Sequence, residues 1–430
     1  MSQKRFRESY ATHCTSIFRH VGARPSSART FLVASFLLGM AQTVLPSEFA
    51  YAGELPQLQG KMTLTQTARE KWIAEYEFAE PIDRLVFKQV GDYRQTAWKV
   101  ITPDVQFRTS DGVDTFSAPK GVTFLKMEIS AYGNFVPKNY APNIRFSDGG
   151  ANVYMGFFHG SVTQNTKERE LHLTTSLKGL PGETLIATPK FENSDKGDYA
   201  YAYFGPQKPV SFGDVQMIVD PAVPVWLRDL ILKVNSTSAA YFEKVYQRKL
   251  SRPLSLTLAL SDPNAEGFSV KGGATNGQIN YRLSGKTLMT ENTETQGELA
   301  QLLKVLAAHE MAHIWQNDVK RGGIGVESPW IHEGGAEAMA ADLLLKTAIW
   351  SQTDFDAYLA KSKRTCESLK DKPQAYEYAY ACGLDRFASY QIDFAVLWKN
   401  LIQESEKTGE TYSESMIQAV VERLRQAEKR

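Results

Sequence analysis

Apolar and polar residues alternate in short runs between Gly53 and about Gly213. The runs are separated by Gly, Pro, Asp and Asn, and they include LVFKQV, AWKVIT, VQFRT, VTFLKMEIS, ANVYMGFFHG and LHLTTSL. A period of two is typical of strands that bury one face, and such breakers are typical of the turns between strands. We therefore predict an antiparallel β-sandwich domain at residues 53–215.

The apolar period becomes helical near residue 216. Apolar residues recur at helical spacing from Pro221 to Leu250, and the strand-like run LSLTLALS follows them. After the glycine-containing extended segment GFSVKGGATNGQINYRLSG, the pattern is mostly helical as far as Arg430. The pattern predicts a second, mostly helical domain at residues 216–430. A chain of 430 residues with 43% apolar residues is long enough to build a separate core in each domain, and the fold class is α+β multidomain.

The first 52 residues have the pattern of a signal peptide. A basic lead precedes the apolar run FLVASFLLGMAQTVL, and Ala50-Tyr51-Ala52 forms a small-residue cleavage motif before Gly53. We predict cleavage after Ala52 and export to the periplasm or the medium. An uncleaved membrane anchor is the alternative, but the 15-residue run is shorter than the roughly 20 residues that span a bilayer.

The net charge of the remaining chain is small. Residues 1–52 carry 6 of the 49 Lys and Arg and 2 of the 48 acids, which leaves 43 basic and 46 acidic residues and a net charge of −3. A mildly acidic chain without blocks of Lys or Arg predicts no nucleic-acid partner and no stable membrane insertion after signal removal. The sequence makes no prediction of the oligomeric state.

Two cysteines, Cys366 and Cys382, remain after removal of the signal segment, which contains Cys14. An even pair in an exported chain predicts one disulfide, and two free buried thiols are the alternative.

The stretch VLAAHEMAHIWQ contains His309 and His313 at the end of a leucine-rich helical pattern. Residues four apart share one face of a helix, so both imidazoles can bind one Zn²⁺. The intervening Glu310 completes a His-Glu-x-x-His motif, in which the glutamate is the general base. An ordinary helix with two histidines is the alternative, and deciding between the two requires a third ligand.

The helical pattern WIHEGGAEAMAADLLLK supplies that ligand as Glu333, with Glu337 one turn further along. We predict one zinc per chain, bound by His309, His313 and Glu333, with Glu337 accepting the free N–H of a ligating histidine. His332 is a weaker candidate ligand, because adjacent helical residues point about 100° apart.

The motifs HEMAH and WIHEGGAE resemble those of the gluzincin metallopeptidases, especially the aminopeptidase N and glycyl aminopeptidase type. The resemblance implies a thermolysin-like zincin catalytic domain after the β-sandwich. It also implies the same zinc ligands, Glu310 as the base, and Tyr380 of YACG as the residue that stabilises the transition state. Tyr376, Tyr378 and Tyr390 are rival tyrosines, and Gly383, three residues after Tyr380, favours Tyr380.

The substrate-binding edge is the least family-like part of the sequence. Aminopeptidases of this kind recognise the substrate amine with a glutamate in Gly-x-Met-Glu-Asn, whereas this chain has GGATN, without a glutamate. A strand edge can still pair with a peptide backbone, so Gly272, Gly273, Ala274 and Asn276 are candidate substrate-binding residues. A plain hairpin turn is the alternative.

The predicted function is therefore an exported zinc metallopeptidase that acts on peptides or proteins. Glu310 would activate the attacking water and Tyr380 would stabilise the oxyanion. Two alternatives stay open, namely a catalytically silent zinc-containing protein that binds envelope components and a zinc hydrolase of a non-peptide amide or ester.

Overall fold

The structure, a computed structural model, describes residues 57–429 except 135, 137–139, 188–199, 213–214, 252, 276, 291–292 and 320–327. The described residues combine β-sheets with eight α-helices, which confirms the predicted mixed class. The signal segment lies outside the described residues. Among the residues that the structure describes, no helix has both the length and the apolar content needed to cross a membrane.

The first sheet has seven strands and contains all of the alternating runs predicted from the sequence except ANVYMGFFHG. Its strands are β1 (Leu58–Ala68), β2 (Lys71–Lys88), β3 (Trp98–Val100), β4 (Gln106–Ser110), β5 (Val113–Ser130), β8 (Ser161–Gln164) and β9 (Lys167–Lys178). A short helix, α1 (Tyr93–Ala97), precedes β3. Most neighbours are antiparallel, but β1 runs parallel to β9 while it also pairs with β2. Strand β1 thus links two strands that are far apart in the sequence.

A four-stranded antiparallel sheet lies between this sheet and the next one. It consists of β6 (Asn143–Arg145), β7 (Ala151–Tyr154), β10 (Thr184–Ile186) and β11 (Tyr201–Gly205). Ala202 and Phe204 of β11 belong to the core of the first sheet, whereas Tyr201 and Tyr203 pack with Ile218 of the third sheet. The alternation of side chains along one strand therefore serves two interfaces.

The third sheet begins at Val210, and the boundary predicted near residue 216 falls within its second strand. Its strands are β12 (Val210–Phe212), β13 (Val215–Val219), β14 (Leu254–Asp262), β15 (Ser269–Lys271), β16 (Ala274–Thr275) and β17 (Gln278–Ser284). Strands β13, β14 and β17 are parallel neighbours, while β15 and β16 pair antiparallel with β17. Helix α2 (Val225–Tyr246) connects β13 to β14, as a parallel pair requires.

Six further helices follow, after a 3-10 turn at Lys286–Met289. They are α3 (Thr293–Val319), α4 (Pro329–Lys346), α5 (Gln352–Ser368), α6 (Tyr376–Ser389), α7 (Phe394–Thr408) and α8 (Glu414–Glu428). A single apolar core joins these helices to α2 and to one face of the third sheet, where Ile279, Tyr281 and Leu283 are buried. The core fixes α3 and α4, the two helices that bear the predicted ligands.

Candidate active site

Helices α3 and α4 bring the three predicted ligands together. His309 and His313 lie one turn apart on α3, with ring centroids 4.5 Å apart. Pro329 at the start of α4 has its φ fixed at a helical value and needs no N–H partner, so the helix begins four residues before Glu333. Glu333 Oε2 lies 3.3 Å from His309 Nε2 and 3.3 Å from His313 Nε2.

These distances fit a tetrahedral metal ion. The ligand atoms of His309, His313 and Glu333 all lie within 4.8 Å of one another. A tetrahedron with zinc bonds of ~2.0–2.1 Å has edges of about 3.3–3.4 Å. The two His–Glu separations match this edge length, and two imidazoles with one carboxylate are a zinc donor set that leaves a fourth position for water or substrate.

Neighbouring polar side chains orient both histidines. His309 Nδ1 lies 3.0 Å from Glu337 Oε1, and Glu337 also accepts a hydrogen bond from the Tyr358 hydroxyl of α5. His313 Nδ1 lies 2.8 Å from Gln316 Oε1, and the Gln316 amide donates to the His332 carbonyl. An acceptor oxygen within 3.0 Å of each Nδ1 favours a proton on that nitrogen, which leaves each Nε2 available to bind a metal.

The sequence motifs assign no role to Gln316 or Tyr358. Gln316 follows His313 by three residues, so helical spacing alone could have placed its side chain beside that ring. Tyr358 had no such signal, because its contact with Glu337 depends on how α5 folds back against α4.

The charges of this cluster are strongly coupled. Burial alone would lower the pKa of His309, but the adjacent Glu333 and Glu337 carboxylates raise that pKa well above its usual value. Burial raises the pKa of Glu333, yet the two histidines outweigh burial and hold that pKa far below its ordinary range. Glu333 is thus an anion, which suits a ligand of a divalent cation.

Glu310 lies on the same helix and faces the strand edge at Gly272 and Ala274. Burial raises the pKa of its carboxyl group, an effect that the two histidines and a backbone hydrogen bond from Ala274 oppose. A Cβ added to Gly272 would lie 2.4 Å from Glu310 Oε1, so any larger residue there would have to displace this carboxylate. The predicted substrate-binding residue Gly272 is therefore in contact with the predicted base.

The other candidate substrate-binding residues differ in their surroundings. The Gly273 carbonyl accepts a hydrogen bond from Asn280 N–H, and a Cβ at Gly273 would meet open space. The Ala274 carbonyl accepts from the Tyr140 hydroxyl at 3.4 Å, and Ala274 pairs with Ile279 of β17. Asn276 lies outside the described residues.

Tyr380 lies beside His309. Its ring stacks on the His309 ring with centroids 5.4 Å apart and planes 21° from parallel. Burial and then the Glu333 carboxylate raise its pKa, so the phenol keeps its proton. Of the rival tyrosines, Tyr376 forms a hydrogen bond with Tyr380 itself, and Tyr390 packs against Phe387 at the end of α6.

A close helix crossing explains how Tyr380 reaches the site. A Cβ on Gly334 would lie 2.3 Å from Gly383 Cα, and a Cβ on Gly383 would lie 2.7 Å from the Trp330 carbonyl oxygen. The glycine after Glu333 and the glycine three residues after Tyr380 thus allow α4 and α6 to touch through their backbones. The predicted disulfide between Cys366 and Cys382 is present and joins α5 to α6, with Cα atoms 4.7 Å apart.

His332 is not part of the three-donor group. Its ring stacks on His313 at a centroid distance of 4.1 Å, and the donor group consists of His309, His313 and Glu333. The structure therefore places this candidate next to a ligand.

No family model and no curated protein matches the sequence. Among solved structures, an aminopeptidase N family protein from Idiomarina loihiensis superposes with a TM-score of 0.54 at 10% identity, over 84% of this chain and 72% of that chain. An M1 zinc metallopeptidase from Deinococcus radiodurans gives 0.43 at 13% identity, over 86% and 89%. Leukotriene A4 hydrolase from Saccharomyces cerevisiae gives 0.42 at 10% identity, over 86% and 65%. The first similarity shows an aminopeptidase N-like fold for this chain, in agreement with the resemblance found in the sequence motifs.

Proposed function

We propose that this chain is a zinc-dependent metallopeptidase with a β-sandwich domain followed by a thermolysin-like catalytic domain. The observation that carries the proposal is the equal 3.3 Å separation of Glu333 Oε2 from the two histidine Nε2 atoms, with Glu310 on the same helix. The aminopeptidase N-like fold supports the same conclusion.

Each side chain of the site would have a separate role in the hydrolysis of an amide. A bound zinc would supply Lewis-acid polarisation of the substrate carbonyl and lower the pKa of the nucleophilic water. Glu310 would accept the proton of that water and return it to the leaving amine, a role that suits a carboxyl whose pKa is raised by burial. Tyr380, which keeps its proton, would donate to the oxyanion.

The metal assignment is tested by element analysis of the purified mature chain. We expect about one zinc per chain. His313→Ala or Glu333→Ala should remove most of it, because two donors hold the ion far less tightly than three. His332→Ala is the matched control and should retain the zinc, since its ring is adjacent to the site but outside the donor group. Full retention in both ligand variants would reject the site.

The substrate is tested with paired peptide libraries that differ in a free or an acetylated N-terminus. Cleavage of internal bonds irrespective of acetylation would indicate an endopeptidase, and release of single residues from free N-termini alone would indicate an aminopeptidase. Thr275 stands where the family motif Gly-x-Met-Glu-Asn has its glutamate. It is buried on β16, with its hydroxyl 3.4 Å from the Gln278 side chain, so this position presents no carboxylate to a substrate amine. We therefore propose that acetylated peptides are accepted.

We also propose that the protein is exported and loses residues 1–52, on the basis of the signal pattern and the paired cysteines. N-terminal sequencing of the protein recovered from its native cells should begin at Gly53. Recovery of a chain that begins at Met1 in the cytoplasm would contradict this proposal.

A further inference from the structure

Tyr376 lies one helical turn before Tyr380 and forms a hydrogen bond with it through the two hydroxyl groups. The two rings are 4.8 Å apart between centroids and inclined by 47°. Tyr376 is 73% exposed, whereas Tyr380 stacks on His309 beside the Glu333 carboxylate. The exposed outer phenol thus contacts the hydroxyl of the inner one.

The direction of this hydrogen bond decides whether Tyr380 can act in catalysis. A phenol has a single O–H donor and can also accept hydrogen bonds. If Tyr380 donated to Tyr376, its only proton would be occupied and could not reach a substrate oxyanion. If Tyr376 donates, the single Tyr380 proton stays on the side of the Glu333 carboxylate, with which the Tyr380 hydroxyl forms a hydrogen bond, and a substrate carbonyl bound there can receive it. Acceptance of a hydrogen bond also strengthens Tyr380 as a donor.

We propose that Tyr376 is a positioning residue that donates its hydroxyl proton to the Tyr380 oxygen and thereby directs the Tyr380 proton toward the reacting carbonyl oxygen. The kinetic consequence of this role rests on the proposed peptidase function. The hydrogen-bond direction itself is a property of the two phenols and can be measured without a substrate.

The kinetic test is a cycle of phenylalanine variants, each checked for zinc content and melting temperature. Tyr376→Phe should lower kcat about 10-fold and change KM less than about twofold, because the lost hydrogen bond acts on the transition state. Tyr380→Phe should lower kcat by about 10². In the Tyr380→Phe background, Tyr376→Phe should have no further effect, since the residue acts through Tyr380. Tyr390→Phe, whose ring packs against Phe387 at the end of α6, is the matched control and should leave kcat unchanged.

The spectroscopic test is a Raman difference spectrum between the parent and Tyr376→Phe. The intensity ratio of the tyrosine Fermi doublet distinguishes a phenol that mainly donates from one that mainly accepts. The difference signal should show Tyr376 as a donor, and the signal removed by Tyr380→Phe should show a phenol that accepts as well as donates.

Three results would overturn the inference: an acceptor signature for Tyr376, an increase in kcat in Tyr376→Phe, or an equal loss of activity with and without Tyr380. A parent enzyme that binds zinc but hydrolyses no peptide would refute the proposed function instead. In that case the Raman result alone would decide which phenol donates.

Discussion

At the scale of single residues, a substitution of Glu310 distinguishes metal binding from peptide hydrolysis. Its carboxyl is buried between α3 and the strand edge, where a Cβ on Gly272 would already clash with it. Glu310→Gln preserves the shape and the hydrogen bond from Ala274 but cannot accept a proton at neutral pH. We expect zinc content to stay at the parental level and kcat to fall by at least ~10². Parallel measurement of zinc and of peptide turnover tests this, and turnover equal to the parental value would exclude Glu310 as the base.

Individual residues also show which contacts of a site can be predicted from the sequence. The spacing of His309 and His313 on one helix face is local, and the predicted placement of Glu333 and Glu337 required only a second helix against the first. The contact of Tyr358 with Glu337 depends on a third helix, and the contact of Gly272 with Glu310 depends on a strand edge. Contacts set by tertiary packing leave no periodic signal, so these two cannot be predicted from the sequence.

At the scale of elements, the crossing of α4 and α6 is the contact that brings Tyr380 to the metal ligands. Gly383→Ala would force a Cβ to within 2.7 Å of backbone atoms that cannot rotate away, so the helices must separate. We expect a loss of stability of about 1–3 kcal/mol from overpacking and a fall in kcat of at least ~10², because a shift of about 1 Å misplaces the phenol. Thermal unfolding and steady-state kinetics check both effects.

Gly297→Ala is the matched control for that substitution. Gly297 also lies in a helix, α3, but a Cβ there would meet nothing within 4 Å. Helix propensity favours alanine over glycine by about 1 kcal/mol, so this variant should be as stable as the parent or slightly more stable. Equal behaviour of the two variants would show that the helix crossing tolerates a side chain.

The disulfide acts on the same element. Cys382 lies two residues after Tyr380 in α6, and its bridge to Cys366 fixes this turn of α6 to α5. The hydroxyl of Ser362 in α5 also donates a 3.0 Å hydrogen bond to the Ala381 carbonyl of α6. Reduction with a non-chelating phosphine should lower turnover before zinc is released, since the bridge constrains the helix of Tyr380 and supplies no ligand. The Cys366→Ser/Cys382→Ser variant should reproduce this loss. Zinc released in step with the first thiols would contradict it.

At the scale of the whole molecule, alternation predicted the strands but not their partners. The run ANVYMGFFHG supplies β7 and a 3-10 turn, and β7 meets the third sheet through Asn152, whose amide donates to Thr257 and Asn280. The parallel pairing of β1 with β9 joins segments more than 100 residues apart, and the period of two is identical for parallel and antiparallel neighbours. Strand pairing therefore required the structure, whereas the helical half, with its longer periodic segments, was visible in the sequence.

A buried acid at the junction of three helices gives the molecule a pH-dependent stability. Asp342 of α4 accepts a hydrogen bond from Tyr241 of α2, and Lys346 pairs with Asp393 at the start of α7. Burial raises the pKa of Asp342 from 3.8 to about 6, with Asp393 adding to the shift and Tyr241 and Lys346 opposing it. The folded state thus holds this proton more tightly than the unfolded state does.

The sign of the effect follows from that difference in pKa. Because the folded state binds more protons between about pH 4 and pH 6, the contribution of Asp342 to stability falls across this range and stays low at higher pH. Asp342→Asn removes the titration and keeps an oxygen that can accept from Tyr241. We expect the free energy of unfolding of the variant to equal that of the parent near pH 4. At pH 7.5 it should be higher by up to about 3 kcal/mol, the equivalent of roughly two pKa units. Urea unfolding of both proteins at several pH values measures the difference between their free energies of unfolding. The pH dependence of zinc binding is common to both proteins and cancels in this difference. A gap that is constant from pH 4 to pH 7.5 would show that Asp342 has an ordinary pKa in the folded protein.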